Sequence, residues 1–265
     1  MVRTVDVAIG YVVGAAIATP ADIVWKSVLD ANGRVSSKGN KQPFLNGAMV
    51  ISTVGGREEY ALLKIAREGN DLVSAADQTI ARKLRPTLDG NNPLHTACFG
   101  AKYVSLNLPL KDGDKIVAQA VDVATTAILA VVLFITYGGP AARNPNFPLE
   151  VLGDHKVIEF TNSTAADVAT TWGAGGVEAR AQGELVETLK EKPNWNICGW
   201  QCVPEDHLAF FRIKQNFEDS IQPAFPPGNY VNFPILLGTI NRTTLITPES
   251  IGQAATEIEA EIIVC

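Results

Sequence analysis

The stretch from Val123 to Tyr137 constrains the fold more than any other part of the sequence. It carries no charge, and its last residues, Val131 to Tyr137, are all large or β-branched. A continuous apolar run of this kind is typical of a deeply buried strand. It is shorter than the ~20 apolar residues that a membrane-spanning helix needs, and Asp122 borders it. We therefore predict a buried central strand and no transmembrane segment.

Length and charge narrow the class of protein. A chain of 265 residues is long enough for one large domain or for two of about 130 residues. Its net charge of −6 and its scattered basic residues argue against direct binding of nucleic acid, because neutralising phosphates needs clustered Lys and Arg. Residues 7–18 resemble the apolar core of a signal peptide, but Asp6 at their border favours a retained N-terminal strand.

Gly, Pro and Asn divide most of the sequence into short apolar segments, a pattern typical of β-sandwiches. Helices are predicted to interrupt this pattern in each half. In the first half we predict one over 58–67 and one over 73–84, where a capping box precedes the apolar face and Pro86 follows it. In the second half, apolar residues four apart predict a helix over 177–189. The predicted fold class is therefore all-β, with a short helix or two per half.

The two halves of the chain repeat the same order of features. Matches 107 residues apart align Val50-Ile51 with Val157-Ile158, and matches 127 residues apart align Tyr103-Val104 with Tyr230-Val231. Strand, helix, proline stop, strand and final apolar strand recur in this order in both halves. The step between the two separations is an insertion of 20 residues, which we predict at about 194–229.

The repeat and the number of short strands together favour two tandem jelly-roll β-sandwiches, the first over 1–138 and the second over 139–265. Two tandem jelly rolls in a chain of 265 residues, with a helix in each and short loops, resemble the double jelly-roll major capsid proteins of tailless icosahedral DNA viruses. The resemblance is one of architecture, without a family-specific motif, and it covers nearly the whole chain.

That resemblance implies a structural shell protein that is not an enzyme and needs no cofactor. A homotrimer of upright barrels would form a pseudo-hexagonal capsomer, and capsomers would self-assemble into the icosahedral capsid of a virion. Minor capsid or penton proteins and an internal membrane are the further partners that it implies. The N-terminal residues are expected to reach toward that membrane or toward a neighbouring capsomer.

Two other functions stay open on the sequence alone. A secreted or cell-surface β-sandwich that binds or cleaves polysaccharide would use Trp195 and Trp200 to stack on sugar rings. A surface-layer or filament subunit would share the structural role, but it would form sheets or fibres rather than closed particles.

Cys198, Cys202 and His207 form the most metal-like cluster, because thiolate and imidazole are the usual zinc ligands. The two cysteines are further apart than in most zinc motifs, and a fourth ligand would have to come from elsewhere in the chain. Free buried cysteines are the commoner arrangement, so we predict no metal. A disulfide between Cys198 and Cys202 is an alternative, and the pairing of Cys98 and Cys265 is open.

Three further groups have both a chemical and a structural interpretation. His95 and Cys98 are the residue types of an activated thiol nucleophile, but no Gly-rich oxyanion turn accompanies them, so a structural histidine is favoured. Acidic pairs at 205–206 and 218–219 offer groups for acid–base chemistry. The aromatic and Pro-rich segment 217–233 suits a ligand platform or a clasp between subunits, although a plain packed loop is favoured.

Glu257, Glu259 and Glu261 alternate with apolar residues, which places the acids on one face of a strand. A solvated or subunit-facing sheet surface explains this pattern without catalysis. Because like charges on one face repel, we expect bases or water opposite them. Asn162 and Asn241 begin glycosylation sequons, which matter only in a secreted protein.

Overall fold

The computed structural model describes residues 3–13, 21–25, 29–30, 32–52, 60–66, 80–84, 103–121, 128–145, 147, 156–164, 189–204, 209–215, 218–220, 231–241, 246–252 and 256–265. Across these residues the chain contains no helix, and its strands form several antiparallel sheets. The predicted all-β class is therefore confirmed for this part of the chain. A helix long and apolar enough to cross a membrane is accordingly not found there.

The chain divides into two compact units. We call Val7–Pro140 the N-terminal unit, and Met1–Asp6 together with Ala141–Cys265 the C-terminal unit. The first residues of the chain therefore belong with its second half. Within the C-terminal unit, the backbone N–H of Val5 donates to the carbonyl of Leu237 at 2.8 Å.

The described strands of the N-terminal unit form two antiparallel sheets. The strands are β1 (Asp6–Val13), β2 (Ala21–Asp22), β3 (Val24–Trp25), β4 (Pro43–Ser52), β5 (Tyr60–Ala66), β6 (Ile80–Leu84), β7 (Val104–Pro109), β8 (Lys115–Val121) and β9 (Ile128–Tyr137). The first sheet has the order β3-β1-β9-β4-β7, and the second has the order β2-β8-β5-β6. Both sheets contribute to one hydrophobic core, so the unit is a β-sandwich.

Strand β9 lies inside the first sheet, between β1 and β4. Every residue from Leu129 to Thr136 is 0% exposed, so both faces of the strand are buried. One face, which includes Val131 and Leu133, packs in the core between the two sheets. The prediction of a deeply buried central strand is confirmed, and burial of both faces explains why its apolar run is unbroken.

A buried polar side chain holds a bulge in β4. The pairing of β4 with β9 shifts register between Leu45 and Gly47, which leaves Asn46 as the extra residue. Asn46 is 2% exposed, and its side-chain amide donates to the carbonyl of Phe134 at 3.2 Å and to the hydroxyl of Thr136 at 3.0 Å. The amide thus supplies hydrogen bonds at a point where the regular ladder is interrupted.

The described strands of the C-terminal unit also form antiparallel sheets. They are β10 (Lys156–Thr164), β11 (Trp195–Pro204), β12 (Ala209–Gln215), β13 (Glu218–Ser220), β14 (Val231–Asn232), β15 (Gly238–Ile240), β16 (Ile246–Gly252) and β17 (Thr256–Val264). One sheet has the order β10-β17-β11-β14, with β15 also paired to β11, and the other has the order β13-β12-β16. Ile262, Ile263 and Val264 of β17 are at most 1% exposed, so this strand too is buried on both faces at its end.

The helices predicted for the first half are wrong where the structure describes them. The helix predicted over 58–67 falls on β5, and the end of the helix predicted over 73–84 falls on β6. Alternate residues of β5 from 61 to 65 are fully buried, which is the period of a strand. Pairing with β6 and β8 outweighs the helical propensity of Ala, Leu and Lys in this segment. The helix predicted over 177–189 lies outside the described residues except at its last position.

Candidate functional site

Cys198 and Cys202 lie along the same strand, β11, instead of meeting around a metal ion. At about 3.3 Å per residue, four residues of strand separate their Cα atoms by roughly 13 Å. A disulfide needs Cα atoms within about 7 Å, and a zinc ion holds each thiolate at about 2.3 Å. The strand therefore does not bring these two cysteines to one ion or into one bond. His207 lies outside the described residues, among which no group of three potential metal ligands occurs.

Cys198 is instead adjacent to Cys265. It is fully buried at a bulge of β11, and its thiol donates to the carbonyl of Ile263 at 3.5 Å. Cys265 follows β17 and exchanges two backbone hydrogen bonds of 2.9 Å with Asn196. Neither thiol is part of a disulfide, and the two pack in one small apolar cluster with Leu236.

The surroundings of Cys198 suppress its reactivity. A hydrogen bond with Cys265 and burial raise the pKa of the Cys198 thiol. The thiol is therefore protonated at neutral pH and lacks the thiolate that binds zinc or attacks an electrophile. The sequence pattern does not indicate this pair, because the two residues are 67 positions apart and the pairing of β11 with β17 brings them together. Cys98 lies outside the described residues.

The acidic residues of β17 have polar, acidic or apolar residues opposite them, since Val203 of β11 is in register with Glu259. In the register with β10, Glu261 is opposite Glu159 and Glu259 is opposite Thr161. On the other side, β11 places Gln201 opposite Glu261. We expected bases or water opposite these acids, and none of the residues in register with them here is a base. Two acids in register are unfavourable unless solvent or a partner neutralises them.

The second acidic pair has a base across the ladder. Asp219 of β13 is in register with Lys214 of β12, and Glu218 is in register with Gln215. A cross-strand pair of opposite charges is sufficient to explain this position structurally. The remaining candidates lie outside the described residues: His95, the pair at 205–206 and most of the segment 217–233.

Trp195 is a core residue. It is fully buried, its indole N–H donates to the carbonyl of Leu189 at 3.3 Å, and Lys192 Nζ lies 4.4 Å from the ring centre. A ring held in this way is not available to stack on a sugar from solvent.

The two sequons differ in their setting. Asn162 is part of β10, in register with Ile258 of β17, whereas Asn241 directly follows β15 and is half-buried. Glycan acceptors normally lie in surface loops, so Asn241, which lies outside the strands, matches that setting better than Asn162 does.

A polar surface is tightly connected at one end of the N-terminal unit. We call it the basic loop end; it comprises residue 30 and residues 32–42, 110–115 and 137–139. Backbone hydrogen bonds join its three loops: Gly113 N–H donates to Val35 O at 2.9 Å, and Gly138 N–H donates to Gln42 O at 2.8 Å. The loops therefore form one continuous surface.

Gly33 allows the first of these loops to approach β8 closely. Its φ is 76°, and a Cβ at this position would lie 2.2 Å from the carbonyl oxygen of Ile116. The backbone N–H of Ile116 donates to Gly33 O at 2.7 Å. Asp30 fixes the same turn, because its Oδ1 accepts the backbone N–H groups of Asn32 at 2.8 Å and Arg34 at 2.7 Å. Only glycine tolerates both the positive φ and the contact.

The acids of the basic loop end bind backbone amides. Besides Asp30, Asp112 accepts the N–H of Ser37. Asp114, which is fully buried, accepts the N–H of Lys111 at 2.8 Å through Oδ2. All three carboxylates thus hold the loops in place.

The bases of the same surface lie at its outside. Arg34 donates to the carbonyl of Gly113 at 3.1 Å, and Lys38 Nζ lies 5.1 Å from the ring centre of Tyr137. Arg34 and Lys115 are half-buried, whereas three further basic side chains are exposed: Lys38, Lys41 and Lys111. Asp30 and Asp112 are exposed as well, so the surface carries both signs with a net charge of +2.

Comparison with models of known protein families gave no match, and no curated protein matches the chain significantly.

Proposed function

We propose that the protein is a structural shell protein, a viral major capsid protein built from two tandem jelly rolls that self-assembles through homotrimers into an icosahedral capsid. The observation that carries the proposal is the order of strands, which is the same in the two units as far as they are described. The virion is then its location, and minor capsid or penton proteins and an internal membrane are its further partners.

The strand order of the N-terminal unit follows from rolling up one long hairpin. Apart from the short edge strand β3, the pairs β1–β9, β2–β8, β4–β7 and β5–β6 join the first strand to the last, the second to the seventh, and so on inward. Folding this hairpin over adds the pairs β9–β4 and β8–β5. The result is two four-stranded sheets with the order produced by two Greek keys, which supports a jelly roll.

The C-terminal unit has the same order wherever its strands are described. One further strand is counted between β10 and β11, and β14 and β15, which both pair with β11, are counted together as the sixth. The first, last, third and sixth strands then form β10-β17-β11-β14, and the fifth, fourth and seventh form β13-β12-β16. The second strand of such a series would fall within 165–188, outside the described residues. Recurrence of this order in both units of one chain supports a tandem pair, the arrangement on which the resemblance to capsid proteins rests.

The described edge of the first sheet favours closed tiles over fibres. Among the described strands, β7 pairs only with β4, so its other side is an edge of the described sheet. Asn107 has a φ of 48°, which interrupts the regular ladder, and Pro109 at the end of the strand has no N–H to donate. Growth by addition of strands at this edge is thereby disfavoured. Contacts through loops and side-chain surfaces remain available for assembly, and a shell of discrete capsomers is built from contacts of this kind.

The alternative of a polysaccharide-binding protein or glycan-active enzyme loses one of its two tryptophans, because Trp195 is buried. No described surface offers a comparable aromatic platform. We therefore do not put it forward as a second function.

Analytical ultracentrifugation and negative-stain microscopy of the purified protein test the proposal. We expect trimers at micromolar concentration and hexagonal arrays or closed particles when the protein is concentrated. A chain that stays monomeric at high concentration and forms no assembly would contradict the proposal. Open sheets or fibres without closed particles would instead favour a surface-layer or filament subunit.

A further inference from the structure

Charge is distributed unevenly between the two units. The N-terminal unit contains 13 basic and 11 acidic residues, a net charge of +2. The C-terminal unit contains 9 basic and 17 acidic residues, a net charge of −8. The basic loop end alone has five bases and three acids, a net charge of +2. This equals the net charge of the whole N-terminal unit.

The basic loop end is suited to docking because it is held in shape before any partner arrives. Its three carboxylates are bound to backbone N–H groups, as described above, and its loops are joined by backbone hydrogen bonds. Little further ordering of the loops is needed on association, which lowers the entropic cost of binding. The exposed lysines Lys38, Lys41 and Lys111 are then the groups that a partner meets first.

We propose that the basic loop end is the surface through which one copy of the chain docks on the acidic C-terminal unit of the next copy. The inference rests on the proposed function, since it specifies which surfaces meet when the shell subunits associate. Opposite charges across such a contact speed encounter and select the correct orientation.

A second copy fits this surface better than nucleic acid does. A nucleic acid approaching the basic loop end would also meet a chain of net charge −6 and three acids within the site itself. A second copy brings its own unit of charge −8, and it is present wherever the protein is. Because two different surfaces meet, the contact is heterologous, and it closes into a ring when the rotation between copies is a simple fraction of a turn. A trimeric ring is the closed form that the proposed capsomer needs.

Sedimentation velocity of the full chain at about 50 mM and about 500 mM NaCl provides the test. We expect self-association to weaken at least about tenfold at the higher salt, because exposed charge pairs are screened. At the lower salt, Lys41→Glu and Lys111→Glu, made separately, should each weaken association by about tenfold. The matched control is Arg143→Glu: Arg143 is exposed, the change in net charge is the same, and it lies on the acidic unit. The control should associate at least as tightly as the unaltered chain does, because it adds negative charge to the unit that the basic loop end would meet.

The outcomes separate this inference from the proposed function. If both lysine variants assemble like the unaltered protein, or if salt has no effect, the docking surface is wrong while capsid assembly stands. If salt-sensitive oligomers form but never arrays or particles, the docking surface stands while the capsid proposal fails. Fluorescence anisotropy with a labelled single-stranded oligonucleotide tests nucleic acid as the alternative partner. The inference would be overturned if the oligonucleotide bound through Lys41 and Lys111 while the two lysine variants self-associated as the unaltered chain does.

Discussion

Replacing Asn46 by Ala should destabilise the N-terminal unit more than the loss of so few side-chain atoms suggests. The substitution removes the donors to Phe134 O at 3.2 Å and Thr136 Oγ1 at 3.0 Å from a site that is 2% exposed. Each bond contributes about 1 kcal/mol net, and loss of a partner for a buried acceptor costs about 1–3 kcal/mol. We expect the free energy of unfolding to fall by about 2–4 kcal/mol and the melting temperature by roughly 6–12 °C.

Urea unfolding followed by circular dichroism measures this loss, and Asn32→Ala, at an exposed asparagine of the same unit, is the matched control. Thr136→Val removes the acceptor with little change in volume. A double-mutant cycle between Asn46→Ala and Thr136→Val should give a coupling of about 0.5–1.5 kcal/mol. A loss for Asn46→Ala that equals the small change of the control, or a coupling of zero, would refute the role given to the buried amide.

Three further predictions concern burial. Leu133→Asp or Phe134→Asp should abolish soluble expression, because each side chain is 0% exposed and the carboxylate would be buried without a partner; soluble, assembling variants would place the strand at the surface. Iodoacetamide labelling, resolved by peptide, should modify half-buried Cys265 in the native protein and buried Cys198 only after unfolding. Equal labelling rates in the native protein would contradict the raised pKa of Cys198. Burial also raises the pKa of Tyr103, so above about pH 9–10 the unfolded chain loses this proton before the folded chain does, and stability falls as pH rises. Tyr103→Phe should flatten this decline, measured by urea unfolding at several pH values. An unchanged slope in the variant would contradict the raised pKa of Tyr103.

Local patterns in the sequence predicted the elements that depend on local composition. The unbroken apolar run of β9 indicated its burial, because only a strand covered on both faces tolerates so many apolar residues in succession. The helix predicted over 58–67 is wrong for the opposite reason. Its Ala, Leu and Lys residues favour a helix in isolation, and the partners that make it a strand, β6 and β8, lie far away in the sequence.

The internal repeat illustrates the same limit. Matches at a separation of 127 align β7 with β14 and β9 with β17, which hold equivalent positions in their sheets. Matches at a separation of 107 align β4 with β10. However, β4 lies between β9 and β7, whereas β10 has β17 as its one neighbour among the described strands. By strand order, β11 is the counterpart of β4. The insertion at about 194–229 was placed from the 107 alignment and stays a prediction. Likewise, nothing in the spacing of Cys198 and Cys265 indicated their contact, which depends on long-range strand pairing.

The hydrogen bond from Val5 to Leu237 has a consequence for biosynthesis. Val5 leaves the ribosome 232 residues before its acceptor does. At roughly 5–20 residues per second, this segment waits roughly 10–50 s for its partner, while all of Val7–Pro140 is made behind it. The N-terminal unit can therefore fold during translation, whereas the C-terminal unit can close only after Leu237 has been made. A nascent chain stalled before Leu237 would keep its first residues open to chaperones and proteases.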